Sequence, residues 1–348
     1  MRAAEPLDQP QLDELEVSVF GRGVGECIVA HVGGATWLVV DSHRVGDRTS
    51  PPVALEYLAA IGVPSEVVAL VAATHWDRDH IAGLSEVVEE CTEADFMCTG
   101  AIHDPEFFRQ LALVARHEGP LGPGAKEFRS VLEILDRRGR GVLWANRLSA
   151  LELASGELRA LAPSELTQTM ALRRGATGPG RLPSEPTPND SCLVLWYQAE
   201  QVSFLLGADL EAGAAGTGWE GVLERFSPRC RASVFKVAHH GSEDAHHSGI
   251  WHQLLAVGPD SIVTPYSPAR RPRVEDVDRL RSLSTAHFTG PEGGGRVRRS
   301  SHVERMVQAH TVGRVRRRVG PVGHVRLRRS LAAEATWEVS YNSVARSL

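Results

Sequence analysis

The seven residues Thr74-His75-Trp76-Asp77-Arg78-Asp79-His80 follow directly on an apolar run, residues 67–73, and this junction constrains the chain more than any other feature. A short apolar run bounded by polar sequence reads as a buried strand. Where such a strand breaks into a loop, side chains can converge on an ion without disturbing a hydrogen-bond ladder. His75 and Asp77 alternate as extended residues do and can share one side, while Asp79 and His80 open the next helix and can address a neighbouring ion. The helix N-terminus adds positive potential where an anionic group could sit. The competing reading, with Asp79 as a simple helix cap and the histidines at the surface, requires four potential ligands within six residues to be a coincidence.

Two further clusters lie in the second half. Asp209, in Leu-Leu-Gly-Ala-Asp-Leu-Glu after an apolar strand, is a candidate carboxylate bridging two ions; alone it would equally suit a helix cap. His239 and His240 end the strand 233–237 and precede Gly241, which permits close backbone approach to an ion or phosphate. Adjacent histidines rarely both ligate, so one is expected to bind metal and the other to support it or face the substrate. His246 and His247 read first as structural or partly exposed, although His246, with Ser242, is also a candidate substrate contact.

The intervening sequence is α/β in character. Segments 15–20, 27–32 and 36–40 alternate with glycine turns as an antiparallel meander does. The glycines of Gly21-Arg22-Gly23-Val24-Gly25 do not form a dinucleotide loop, because a β-branched segment rather than a helix follows them. A helix at 53–61, the strand at 67–73 and a helix at 81–89 come next. Residues 100–185 are less legible, with helices expected near 105–116 and 126–137 and a Gly/Pro/Thr-rich loop at 175–188. A hairpin (192–198 and 202–206), a helix at 219–226, strands at 233–237 and 261–264, helices at 250–255 and 274–283, and closing strands at 324–327 and 336–341 complete the order. The expectation is one domain over 1–348, with an insertion at 100–188 and an arginine-rich segment at 296–329.

Composition narrows the setting. Among 38 basic residues only Lys126 and Lys236 are lysines, so the arginine tract 296–329 suits either an ordinary solvated or subunit-facing surface or one that faces phosphate. No basic-then-apolar leader opens the sequence and no apolar run is long enough to span a bilayer, which leads us to expect a cytoplasmic protein without membrane association. Cys27, Cys91, Cys98, Cys192 and Cys230 are odd in number and lack close paired spacing, as reduced thiols do.

The ordered set THWDRDH, LLGADLE and FKVAHHGS resembles the metallo-β-lactamase fold, in particular the branch of DNA-uptake competence (ComEC-like) hydrolase domains. The opening VFGRGVGECIVAHVGGATWLVVDS and the stretch NDSCLVLW fit it too, so the resemblance covers most of the chain. It implies an αββα sandwich with a metal site at one edge of the two sheets. Carried over residue by residue, it implies metal positions at His75, Asp77, Asp79, His80, Asp209 and His240, with His239 beside them and Asp41 supporting the ligand loop. Familiar members of the fold carry another histidine before the hairpin, where this chain has Pro188-Asn189-Asp190-Ser191; an oxygen of Asn189 or Asp190 is the candidate substitute. The oxygen-richer set makes manganese a competitor to zinc for two divalent ions.

A dinuclear centre of this kind would activate water at neutral pH. The leading expectation is therefore a phosphodiesterase, most simply a nuclease acting on DNA, with Asp79 orienting the nucleophile and His239 or His246 as acid for the leaving group. The resemblance also implies an effector in antiphage defence, beside an ATPase or protease partner. Two alternatives stand: hydrolysis of a small phosphoester, lactone, thioester or lactam, and a non-catalytic sensor or scaffold.

Overall fold

The computed structural model describes residues 8–21, 23–45, 49–100, 123–170, 189–291, 322–332, 334–342 and 345–347. The expected helix at 105–116, the loop at 175–188 and the arginine-rich stretch up to residue 321 lie outside the described residues.

Strands β1 (Glu14–Gly21), β2 (Glu26–Val32), β3 (Trp37–Val40), β4 (Val68–Ala73), β5 (Asp95–Thr99) and β6 (Val142–Ala145) build most of one sheet. Strands β7 (Ala150–Leu153), β8 (Gly156–Ala162), β9 (Val194–Ala199), β10 (Val202–Leu206), β11 (Ala232–Lys236), β12 (Leu255–Val263) and β13 (Thr285–Phe288) build most of the other. The chain then returns: β14 (Gly323–Ser330) and β15 (Glu338–Asn342) join the first sheet beside β1, and β16 (Arg346–Ser347) joins the second beside β13.

Alternation along each strand sorts side chains between two faces, and both faces are apolar, so both must be covered. Leu38, Val40, Leu70 and Ala72 point between the sheets toward Leu195, Tyr197, Phe204 and Leu206. Val39, Val71 and Phe96 point outward, under helices α1 (Val53–Ala60), α3 (Leu84–Glu90) and α4 (Pro123–Arg137), through Tyr57, Leu58, Val87 and Phe128. On the second sheet Trp196, Leu205 and Phe235 point outward beneath Trp219 and Val222 of α5 (Gly218–Leu223) and Val277 and Leu280 of α6 (Val274–Leu283). Three apolar layers separated by two sheets make an αββα sandwich, the architecture expected from the motifs.

The helix expected over 81–89 is broken in two. A short turn α2 (Arg78–Ile81) precedes α3, and Gly83 between them takes a φ of +92°, a conformation that ends the first helix and re-aims the chain. Strands β5 to β8 and β13 escape the sequence reading because each is short or lies in the region where hydrophobic periodicity is weakest.

The connection pattern decides where a site can form. β3 and β4 pair in parallel, as do β10, β11 and β12, so the loops leaving all five emerge at their carboxyl ends. In open α/β sheets that is where ligands bind. β2 runs antiparallel to β3, which brings its first residue, Glu26, to the same end as Asp41.

Candidate metal centre

Asp41 leaves β3 with a φ of +60°, His239 and His240 leave β11 at +46° and +58°, and Ala208 precedes Asp209 at +47°. Left-handed backbone at four non-glycine positions is costly and clusters where surrounding structure holds functional side chains in place. The loops are tied to one another: Asp41 N–H donates to the Ala72 carbonyl at 2.8 Å, Ser42 N–H to His80 at 2.6 Å and His239 N–H to Ala208 at 2.9 Å.

Within this frame His75, His80, Asp209 and His240 are 1%, 0%, 5% and 2% exposed. Each imidazole is anchored through Nδ1. His80 Nδ1 meets Asp41 Oδ2 at 2.7 Å, His240 Nδ1 meets the Thr264 carbonyl at 2.8 Å, and His75 Nδ1 meets Thr74 Oγ1 at 2.9 Å. The Nε2 atoms of all three, and Asp209 Oδ1, are buried without a hydrogen-bond partner. Such orphaned atoms are expensive unless something else satisfies them.

Their spacing fits a cation. His80 Nε2 lies 3.4 Å from Asp209 Oδ1 and 4.0 Å from Asp79 Oδ2, and His240 Nε2 lies 3.5 Å from Asp209 Oδ2 and 3.5 Å from Asp79 Oδ2. Four ligands at about 2.0–2.1 Å around a tetrahedral ion stand about 3.3–3.4 Å apart, and these four contacts, at 3.4–4.0 Å, lie close to that spacing. Around His75 the donors are fewer: Asp77 Oδ2 is 3.8 Å from His75 Nε2, on a side chain that is half exposed. A second ion would have a thinner set.

The electrostatics agree with the spacing. Burial works against a charge on His80, yet the carboxylates of Asp209, Glu26 and Asp41 outweigh it and hold its pKa well above the usual imidazole range. Asp209 is likewise held well below the carboxylate range by His240 and His80, against burial. Burial and Asp79 raise Asp77 instead. The field at this point favours positive charge.

His239 turns the other way. Its Nε2 faces Asn189 Nδ2 at 3.3 Å and the Arg271 guanidinium, and its Nδ1 faces Asp244 Oδ1 at 3.3 Å and Glu211 Oε1 at 3.6 Å. Arginine only donates, so Nε2 is the acceptor and the proton sits on Nδ1, toward the carboxylates. Although Glu211, His239 and Asp244 are close enough to suggest a second ion site, that tautomer and the adjacent guanidinium argue against one.

Asn189, one of the two candidates for an extra ligand beside His75, is engaged elsewhere. The Asn189 amide donates to Glu211 Oε1 at 3.0 Å, because the turn Asn189–Ser191 faces the exits of β10 and β11; the Asp190 side chain lies outside the described residues. Ser242 and His246, expected at the substrate, are used within the fold. The Ser242 hydroxyl donates to the His239 carbonyl at 2.9 Å, and His246 Nδ1 accepts from Trp251 Nε1 at 3.3 Å in a cavity walled by Phe235, Ile250 and Leu280. Asp41 ties the loop to the end of β3, accepting from Thr74 N–H at 2.7 Å and Thr74 Oγ1–H at 2.8 Å as well as meeting His80.

Sequence reasoning missed Glu26, Lys236, Glu211, Asp244, Arg271 and Tyr266. Tyr266 stacks on His240 with ring centroids 4.8 Å apart. Of these only Lys236, adjacent to the His-His cluster and one of two lysines in the chain, carried a visible signal.

Fold and site together define an αββα sandwich with a buried imidazole and carboxylate centre, a candidate for binding divalent metal, at the carboxyl ends of its parallel strands. No protein-family model and no curated protein matches the sequence. Solved structures do. The metallo-β-lactamase fold protein YhfI from Bacillus subtilis is similar at 13% identity and a TM-score of 0.42, over 79% of this chain and 96% of that one. The metallo-β-lactamase SMB-1 bound to 2-mercaptoethanesulfonate is similar at 13% identity and a TM-score of 0.37, over 64% and 76%. Rm3 metallo-β-lactamase is similar at 15% identity and a TM-score of 0.35, over 71% and 82%. The likeness is one of fold. Among the described residues no helix is long and apolar enough to cross a membrane.

Proposed function

We propose that the protein is a divalent-metal-dependent hydrolase of phosphoesters, with nucleic acid as its substrate class. The observation that carries the reading is the convergence of the unpartnered Nε2 atoms of His80 and His240 on Asp209 and Asp79. Asp79, His80, Asp209 and His240 would hold one ion; His75 and Asp77, sharing Asp209, would hold a second more weakly. When bound, such an ion supplies Lewis acidity and makes water nucleophilic near neutral pH.

The remaining work falls to this chain's own groups. Asp79 is partly exposed, and its carboxylate, held ionised by His240 and His80 against burial, can accept a hydrogen bond from an attacking water and orient it. His239, with Nδ1–H toward Asp244 and Glu211, presents Nε2 to the side where Arg271 and Asn189 stand. In this tautomer Nε2 is an acceptor with no proton to give, so the orientation suits an imidazole that takes a proton rather than one that passes it to a leaving group. Arg271, 26% exposed, can grip an anionic oxygen, which favours a phosphoester over a neutral lactone or lactam.

The choice of DNA, a role in antiphage defence and an ATPase or protease partner follow the resemblance of the three motifs and belong to this proposal. Purified protein should be assayed on bis-p-nitrophenyl phosphate, on labelled single- and double-stranded DNA and RNA, and on ester, lactone and lactam substrates, with manganese or zinc. Metal-dependent phosphodiester cleavage that Asp79→Ala abolishes is the expected result. Cleavage of a neutral substrate alone would overturn the phosphoester assignment, and retained biological activity in Asp79→Ala would favour the scaffold reading.

A further inference from the structure

Beneath the centre lies an ion pair whose two partners are sealed from water. Lys236 Nζ sits 2.7 Å from Glu26 Oε1, and the residues are 0% and 1% exposed. Burying two charges loses hydration that their attraction seldom fully offsets, so stability alone is a poor reason for such a pair. Its composition is selective as well. In a chain that otherwise uses arginine almost throughout, the buried position takes one of two lysines. A compact ammonium is a point charge that fits where a planar guanidinium with five donors would need more partners. Lys236 also donates to the Val237 carbonyl, at 3.1 Å.

Glu26 uses both oxygens. Oε1 takes the ammonium and Oε2 accepts the Thr264 hydroxyl, while the carbonyl of that same Thr264 anchors His240 Nδ1 at 2.8 Å. The carboxylate lies 3.8 Å from His80 Nδ1 and 3.7 Å from His240 Nδ1. It therefore stands behind both imidazoles, while Asp79 and Asp209 face their Nε2 atoms. Glu26 is close enough to be grouped with His80, Asp209 and His240 as a candidate ligand, but its occupied oxygens and its place at the Nδ1 edges exclude it from the ion's immediate shell.

We infer that Glu26 and Lys236 form the positioning device of the metal centre: Glu26 fixes His240 through Thr264 and stands behind His80, and Lys236 holds the Glu26 carboxylate in place and balances its charge. This rests on the metal-centre reading above. Carboxylates placed behind ligating histidines set ring orientation and donor strength, and removing one typically weakens metal binding about 10–100-fold.

The test uses the full chain as wild type, Glu26→Gln, Lys236→Met, the double variant and Thr264→Val. Manganese and zinc affinities are measured by competition with a chromophoric chelator, and thermal midpoints are measured on chelator-treated protein. Glu26→Gln should weaken metal binding by about 10–100-fold. Lys236→Met should lower the midpoint by leaving a buried carboxylate without its partner. The double variant should recover the midpoint and keep the weakened affinity, a split that a purely structural pair would not produce. Thr264→Val, which removes no charge, should weaken binding in the same direction and stands in if Lys236→Met does not fold. Wild-type affinity in both Glu26→Gln and Thr264→Val overturns the inference. A wild-type protein that binds neither metal refutes the metal-centre reading itself, and the inference with it.

Discussion

The Asp41 carboxylate meets His80 Nδ1 at 2.7 Å, and this one contact turns His80 Nε2 toward Asp209, 3.4 Å away. Asp41 also accepts from the backbone N–H and the hydroxyl of Thr74, the residue before His75. A single buried side chain thus joins the exit of β3 to the start and the end of the ligand loop.

Replacing Asp41 with Asn should leave the fold in place and loosen the centre. The amide keeps the shape but brings an N–H₂ where only acceptors are wanted, so one of its three contacts becomes donor against donor. We expect metal affinity to fall by about 10–100-fold, read by chelator competition. An unchanged affinity would show that His80 is held without it.

Arg271 separates anionic from neutral substrates. Arg271→Ala should raise KM for a phosphodiester by about tenfold or more, through loss of a charge-assisted contact of about 1.5–3 kcal/mol, while metal content stays as in the wild type. Steady-state kinetics with elemental analysis on the same preparation decides it. An equal loss on a neutral ester would mean that Arg271 acts by orienting His239 rather than by gripping charge.

Acid stability should carry the signature of His324. Burial, helped by Arg326, depresses its pKa to about 3, so the folded chain refuses a proton that the unfolded chain accepts from about pH 6.5 downward. The unfolded state then binds more protons between those values, and stability falls as pH falls. For this residue the loss between pH 7 and pH 5 is about 2 kcal/mol. His43 and His75, depressed to about 4 chiefly by burial, add to the same trend. His80, whose pKa is raised, opposes it: its contribution is present at low pH and is lost as pH rises through the raised value. Urea unfolding at the two pH values, compared between wild type and His324→Gln, isolates the residue, and equal slopes would refute the assignment.

Gly25 is a position where the backbone permits no side chain. It takes a φ of +86°, and a Cβ there would collide with His43 Nδ1. Gly25→Ala should destabilise the protein by more than about 1 kcal/mol and disturb Glu26 next to it. Thermal unfolding and metal titration of the same variant check both effects; a wild-type midpoint would contradict the geometry.

Much of the site could be read from adjacency. His75, Asp77, Asp79 and His80 are neighbours in sequence and remain neighbours in space because one strand end carries them, and Asp209 and His240 sit at strand ends that alternating hydrophobicity already marked. The strand expected at 202–206 is present, and only the packing of the two sheets assigns Phe204 and Leu206 to its inner face. Glu26 was invisible because a glutamate opening a strand after glycine has no local reason to be buried; only the antiparallel pairing of β2 with β3 brings it to the site.

The sequence by itself determined the strand-and-helix alternation, the three clusters of candidate ligands and their order, since these depend on local periodicity and on residues a few positions apart. Tertiary structure alone decided which histidine of the pair faces the centre. His240 is drawn inward by the Thr264 carbonyl, whereas His239 is held by Asp244, Glu211 and Arg271. It also decided that a lysine and a glutamate more than two hundred residues apart meet without water beneath the ligands. Neither outcome has a local code, because each depends on a field and a set of partners that exist only once two sheets have packed face to face.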